Sequence, residues 1–225
     1  YDGLGRLKVL THPDPEHHTV QHSYVSTSDG LKVTITDENG HETERTYKAF
    51  GNPGDALLTS VKDADNKIWT YTYNVLGKLT RVDAPVGPVR TWTYDTQDNV
   101  QNLLLSESQP ESGTITYHYV PGTALLQTKT DAKGTVFTHG YDDNDRLTSI
   151  TAVPTSGPTQ TSIITYEPGS DNRATASVTG GASTTFSYDT AGRLSQRSDV
   201  VNSVTFTRSF GYNDLDRLST LMYPT

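Results

Sequence analysis

Tyr188-Asp189-Thr190-Ala191-Gly192-Arg193-Leu194 reads as a turn with a strand on either side. Asp opens the turn, where its side chain can hydrogen-bond the backbone two residues on. Gly stands three positions later, where a type I turn followed by a left-handed residue needs positive φ. The preceding run, Thr184-Thr185-Phe186-Ser187-Tyr188, alternates small polar and aromatic residues with period two, the pattern of a half-buried strand. The stretch is therefore a β-hairpin corner whose entering strand has one aromatic and one hydroxylated face.

Five more copies occupy the chain: Tyr1-Asp2 with Gly5-Arg6-Leu7, Tyr73-Asn74 with Gly77-Lys78-Leu79, Tyr94-Asp95 with Asp98-Asn99-Val100, Tyr141-Asp142 with Asp145-Arg146-Leu147, and Tyr212-Asn213 with Asp216-Arg217-Leu218. Their substitutions follow one rule. Where Gly is lost Asp replaces it, a residue that visits the left-handed region more readily than most, and the second position is always Asp or Asn. With degenerate copies at Tyr24, Tyr47, Tyr119 and Tyr166, the repeat tyrosines recur at intervals of 21 to 26 residues. A tandem repeat decides the fold. We expect an all-β protein of antiparallel strands wound as a continuous curved sheet, with little or no helix.

The motif Tyr-Asp-x-x-Gly-Arg-Leu, repeated at this spacing over essentially the whole chain, resembles the YD repeat of Rhs proteins, of the encapsulating subunits of insecticidal toxin complexes and of the extracellular region of teneurins. The resemblance implies a non-catalytic structural segment of a shell or surface protein, secreted or at the bacterial cell surface. Its partners would be the remainder of the parent shell and a toxin polypeptide as cargo, or a partner to which a surface is presented. Rhs proteins also carry a self-cleaving segment rich in Asp, Pro and Gly. It has no match here, so autoproteolysis is not carried over.

Composition agrees with a thin β-architecture. Hydrophobic residues make up 32% of the 225, against roughly 45–50% apolar usage in ordinary domains, a figure that includes Gly but not Tyr. The aromatics nevertheless fall at fixed intervals, which separates this composition from that of a disordered chain. A net charge of −8, with 18 Lys and Arg dispersed along the chain, leaves no basic stripe for nucleic acid. The absence of cysteine removes disulfides, thiol nucleophiles and thiolate metal sites. No apolar run approaches the roughly 20 residues of a membrane-spanning helix. The chain opens inside a repeat without Met, so residues 1–225 read as one array of about nine to ten repeats and a fragment of a longer protein. Such a segment exposes edge strands, and edge-to-edge self-association is the expected consequence.

One stretch departs from the pattern: His12, Asp14, Glu16, His17, His18 and His22. His17, His18 and His22 are the only metal candidates, but Pro13, Pro15 and β-branched Val20 argue against the helix that would align them, so the stretch reads as a solvated loop. No cofactor is expected. Asp37-Glu38-Asn39-Gly40, Asp63-Ala64-Asp65-Asn66 and Asp131-Ala132-Lys133-Gly134 form what reads as a second kind of turn, ten residues before a repeat tyrosine. Other return corners carry Pro85 and Pro88, Pro110 and Gly113, Pro154 and Pro158, or Gly180-Gly181. Asp63-Ala64-Asp65-Asn66-Lys67 opens like a calcium loop, yet Ile68 replaces its glycine and Asn74 its glutamate. Gly3-Leu4-Gly5 lacks the third glycine of a dinucleotide loop.

Two positions before the repeat tyrosine stand Tyr71, Trp92, Tyr117, Ile164, Phe186 and Phe210, with His139 as the exception. These predict an aromatic ladder across neighbouring strands, each cross-strand pair worth roughly 0.2–1 kcal/mol. The same rings, if exposed, suit a carbohydrate-binding or adhesion module, which is the alternative function. The cations after the corner (Arg6, Lys78, Arg146, Arg193, Arg217) are expected to pair with corner carboxylates of neighbouring repeats.

Overall fold

A computed structural model describes residues 1–12, 18–48, 56–96 and 102–224, among which nineteen strands and no helix occur. The chain divides into two compact units, Tyr1–Thr114 and Ile115–Thr225. In the first, β1 (Val9–Thr11), β2 (Thr19–Ser26), β3 (Gly30–Thr36), β4 (Glu42–Lys48), β5 (Leu57–Lys62), β6 (Ile68–Tyr73), β7 (Leu79–Asp83), β8 (Arg90–Tyr94) and β9 (Leu104–Gln109) each pair antiparallel with the next. The second runs through β10 (Gly113–Tyr119), β11 (Leu126–Thr130), β12 (Val136–Tyr141), β13 (Leu147–Val153), β14 (Gln160–Tyr166), β15 (Arg173–Val178), β16 (Ser183–Tyr188), β17 (Leu194–Val201), β18 (Val204–Tyr212) and β19 (Leu218–Met222) in the same way. Within each unit a strand packs only against its neighbours in sequence. This is the nearest-neighbour architecture that a tandem repeat requires.

The two-residue alternation appears as burial. Along β6, Trp69, Tyr71 and Tyr73 are half-buried while Ile68, Thr70 and Thr72 are exposed. The hydroxyl face is stitched by cross-strand pairs such as Thr93 with Ser106 at 2.7 Å and Thr165 with Thr175 at 2.7 Å. Among the described residues the only buried hydrophobic side chain is Val82, opposite Tyr71 on one side and Arg90 on the other. Sheet stability therefore rests on half-buried contacts and hydrogen bonds more than on a sealed core.

The ladder register slips by one residue at the repeat tyrosines: between Thr46 and Tyr47, Thr72 and Tyr73, Thr93 and Tyr94, His118 and Tyr119, Gly140 and Tyr141, Thr165 and Tyr166, Ser187 and Tyr188, and Gly211 and Tyr212. At Tyr73, Tyr141, Tyr188 and Tyr212 the slip is a β-bulge beside the left-handed residue of a three-residue corner, the arrangement in which a type I turn enters a hairpin without splaying its strands.

One expectation is corrected. The histidine-bearing stretch is not a loop where it is described: β1 and β2 form a hairpin with Leu10 opposite Val20 and Thr11 opposite Thr19, and His12 N–H donates to the His18 carbonyl at 2.8 Å. The consecutive β-branched residues Thr19 and Val20 favour that ladder. A return corner also escaped the sequence reading. Asn202 and Ser203, at φ 50° and 65°, close β17 onto β18 as a two-residue turn.

Candidate functional site

The typical corner is built by one aspartate or asparagine, whereas the corners after Tyr119 and Tyr166 use the hydroxyls of Thr123 and Ser170. Gly5 N–H donates to the Asp2 carbonyl at 3.0 Å and Asp2 N–H to the Arg6 carbonyl at 2.9 Å, while Asp2 Oδ1 accepts from the N–H groups of Leu4 and Arg6, both at 2.9 Å. The side chain thereby satisfies donors that the turn leaves unpaired. Asn74, Asp142, Asp189 and Asn213 repeat the pattern through their own Oδ1 atoms. Gly77 and Gly192 hold φ 74° and 78°, and Asp145 and Asp216 hold 60° and 59° at the equivalent position.

The second kind of turn is the same turn. Asp37, Asp63 and Asp131 accept from the residues two and four ahead, and Gly40, Asn66 and Gly134 take the left-handed position. Asn66 replaces Gly because asparagine tolerates positive φ. The Asp63 segment spends its first carboxylate on backbone N–H groups. The corner after Tyr94 closes later than its motif suggests: Asn102 N–H donates to the Asp95 carbonyl at 2.9 Å, Asn102 carries φ 75°, and Leu104 faces Tyr94. Asp98, Asn99 and Val100 lie outside the described residues.

Upon the corner sits a clamp to the next repeat. Arg6 places Nε and Nη2 on Asp2 Oδ2, both at 2.7 Å. Arg146 does so on Asp142 at 2.8 and 2.7 Å, and Arg193 on Asp189 at 2.8 and 2.8 Å. The arginine thus pairs first with its own corner, whereas pairing between repeats was expected. The neighbouring repeat comes second, through Ser170 and Asp171 for Arg146 and through Asp216 for Arg193. Lys78 and Arg217 follow Asn74 and Asn213, which offer no charge.

Held in this way, each guanidinium lies over the tyrosine of the following repeat: Arg6 over Tyr24 at 4.2 Å, Arg146 over Tyr166 at 4.4 Å, Arg193 over Tyr212 at 4.7 Å. That tyrosine's hydroxyl donates back to the carbonyl after the arginine: Tyr24 to Leu7 at 2.7 Å, Tyr166 to Leu147 at 2.9 Å, Tyr212 to Leu194 at 3.0 Å. Tyr73, Tyr141 and Tyr188 make the same bond to Leu58, Leu126 and Arg173. The sequence names the residues of this clamp but not their connection, because the acceptor is a backbone carbonyl.

The electrostatics follow. Asp2 is held down at about 2, first by the Arg6 backbone N–H and then by its guanidinium. Asp142 and Asp189 are lowered chiefly by the side-chain bonds from Arg146 and Arg193. Burial raises the phenols of Tyr73 and Tyr141, which keeps them protonated as donors to Leu58 and Leu126.

Outside the clamps, no group of three or more histidines or carboxylates stands ready to hold a metal among the described residues. His22 lies on β2 opposite Ile35, His18 just before that strand, and His17 outside the described residues. His139 takes the ladder position opposite Ile150, with its buried Nδ1 unpartnered. One network is foreign to the repeat: Asp199 on β17 is bound by Thr184, Arg197 and Arg208. Its sequence signal was the pair of charges Arg197 and Asp199 inside an otherwise alternating strand.

The family model for the teneurin YD-shell matches residues 43–161, just over half of the chain. A crystal structure of TcdB2-TccC3 matches 99% of the chain at 14% identity with a TM-score of 0.56, and the chain spans 14% of that one. Another, of TcdB2-TccC3-Cdc42, matches 99% of the chain at 13% identity with a TM-score of 0.40, the chain spanning 15% of it. At such identities the first likeness bears on the fold alone. No curated protein sequence matches. No helix among the described residues is long and apolar enough to cross a membrane. Six corner motifs at repeat spacing and the match over residues 43–161 agree: the chain belongs to the teneurin YD-shell family, among the YD and Rhs repeat proteins.

Proposed function

We propose that this chain is a non-catalytic wall segment of a secreted or surface-displayed bacterial shell, one array of repeats within a longer protein, whose task is to enclose a polypeptide such as a toxin. The observation that carries this reading is the clamp. The chemistry-bearing residues of the motif, Asp, Arg and Tyr, are spent on joining one repeat to the next. That leaves the corner carboxylates committed to turns instead of to a substrate, and a wall of this kind extends by adding repeats.

The test is made in the parent protein with a downstream polypeptide attached. If the segment is wall, protease digests that polypeptide slowly in the intact protein and about tenfold or more faster when Arg146→Ala and Arg193→Ala open two clamps together. Equal digestion before and after would refute enclosure. The alternative, a carbohydrate-binding surface, draws on Tyr71 and Trp92, which are half-buried and so retain some exposed ring. Quenching of Trp fluorescence by oligosaccharides, abolished by Trp92→Ala, would favour that reading over a wall.

A further inference from the structure

The network around Asp199 is not repeat machinery. Arg197 on β17 stands directly opposite Arg208 on β18, and Phe186 on β16 is opposite Arg197, beneath its guanidinium at 5.8 Å. Like charges facing each other across a ladder are unfavourable. Asp199 relieves them: Oδ1 accepts from Arg197 Nε and Nη2 at 2.9 and 2.8 Å and from the Thr184 hydroxyl at 2.7 Å, and Oδ2 accepts from Arg208 Nη2 at 2.8 Å. One carboxylate cancels one of two positive charges. Arg197 Nη1 and Arg208 Nε and Nη1 remain without a hydrogen-bond partner among the described residues, on side chains 40% and 35% exposed.

The surroundings of this fixed pair are apolar. Phe206 faces Asp199 across the ladder and Val204 faces Val201, which by the two-residue period places all three on the face of the arginines. They are exposed to 44%, 52% and 44% for Phe206, Val204 and Val201. Arginine and aromatic side chains amid exposed aliphatics make up the composition of interface centres. The guanidiniums are oriented in advance by Asp199, so little ordering is lost when a partner binds.

We propose that this face of β16, β17 and β18 is a docking surface for a polypeptide segment that carries a carboxylate flanked by apolar side chains. The carboxylate would take the unspent guanidinium N–H groups and supply the second negative charge, while its neighbours cover Val201, Val204 and Phe206. The single uncancelled charge suits a carboxylate beside apolar contacts better than a polyanion. The proposal is independent of whether the wall encloses a polypeptide or presents a surface.

The experiment follows the arginine Nε–H resonances of the 225-residue chain by NMR during titration with the blocked peptide acetyl-Leu-Glu-Phe-Glu-Leu-amide, with its glutamine counterpart, and with inorganic phosphate. The glutamate peptide should shift and saturate the Arg197 and Arg208 signals, with the glutamine peptide about tenfold weaker or more. Arg208→Gln should lose that preference with the corner amides unmoved, and Arg208→Lys, should the glutamine variant fail to fold, should weaken it. Phe206→Ala should weaken the peptide while leaving the response to phosphate unchanged. Equal binding of the two peptides, no binding of either, or phosphate binding as tightly as the glutamate peptide would each overturn the proposal.

Discussion

Replacing Arg146 by alanine tests the clamp at its best-formed instance. The substitution removes the two-pronged bond to Asp142 at 2.8 and 2.7 Å, the contact to Asp171 at 3.6 Å and the guanidinium above Tyr166. The pair is only partly shielded, Arg146 and Asp142 being 21% and 25% exposed, so about 1 kcal/mol is a fair value for it. The cation over the ring adds roughly 0.5–1 kcal/mol. Together these predict a loss of about 1.5–2 kcal/mol, confined to the join between β13 and β14. Because nearest-neighbour sheets open locally, hydrogen exchange is the suitable assay: amides flanking Tyr166 should exchange about ten- to thirty-fold faster. Lys78→Ala is the matched control, since Lys78 follows Asn74 and has no carboxylate at its own corner, and it should change local exchange by less than about twofold. Arg146→Lys keeps the charge but not the planar fork, and should recover only a minor part of the loss. Equal effects of Arg146→Ala and Lys78→Ala would refute the clamp.

Tyr166→Phe, which deletes the hydroxyl bond to Leu147, should cost about 0.5–1.5 kcal/mol in local stability, measured by the same exchange, whereas Tyr223→Phe at an exposed position should cost nothing measurable. Gly192→Val should destabilise by about 1–2 kcal/mol or more and Gly192→Asn by much less, as judged by melting temperature. A Cβ there meets nothing nearer than Asn172 at 3.9 Å, so the cost comes from the backbone at φ 78°. Acid should weaken the sheet between about pH 4 and 2: with Asp2 and Asp199 at about 2 when folded, below their ordinary values, their contribution is complete above the unfolded carboxylate range and is lost as pH falls through the folded value. A circular-dichroism pH titration checks this, and Asp199→Asn should flatten its acid limb. Within the first unit β1 should exchange before β5, and within the second β19 before β15, if each strand leans only on its neighbours.

The corners were the most legible part of the chain because their chemistry is local: an Asx side chain and a left-handed residue lie three positions apart, and both are visible as residue types. The same locality explains the misreadings. Asp37 to Gly40 and its relatives read as a second kind of turn because no tyrosine precedes them and no Arg-Leu follows, while the backbone asks only for an Asx side chain and, three residues later, tolerance of positive φ. At Tyr94 the motif-like Asp98 competed with Asn102, and spacing alone did not separate them. The clamp was half legible. Its Asp and Arg are four residues apart, but the tyrosine hydroxyl reaches a carbonyl 15 to 19 residues away that no residue identity marks. Period two placed the aromatics on the right face, but the expected ladder of cross-strand aromatic pairs is not formed: opposite Tyr71, Trp92, Tyr117, Phe186 and Phe210 stand Val82, Glu107, Lys129, Arg197 and Leu221, because the aromatic strands alternate with return strands.

A sheet with one buried apolar side chain among its described residues cannot draw its stability from a core in the usual way. What it has is a small set of bonds that recur along the array: the Asx corner, the bulge at the tyrosine, and at Arg6, Arg146 and Arg193 the arginine and hydroxyl that tie the next tyrosine to the preceding corner. Each is worth on the order of 1 kcal/mol, and each involves only adjacent repeats. Such a design tolerates change along its length, because altering one corner perturbs two joins and leaves the others alone. The late closure at Asn102 illustrates this: the loop is longer, yet Tyr94 still finds Leu104 opposite it and the ladder continues in β9. The same economy accounts for why Asp, Arg and Tyr recur while the intervening residues drift. The joins need those three residue types and the left-handed position, and leave the two residues at the tip of each turn free for whatever the surface must do.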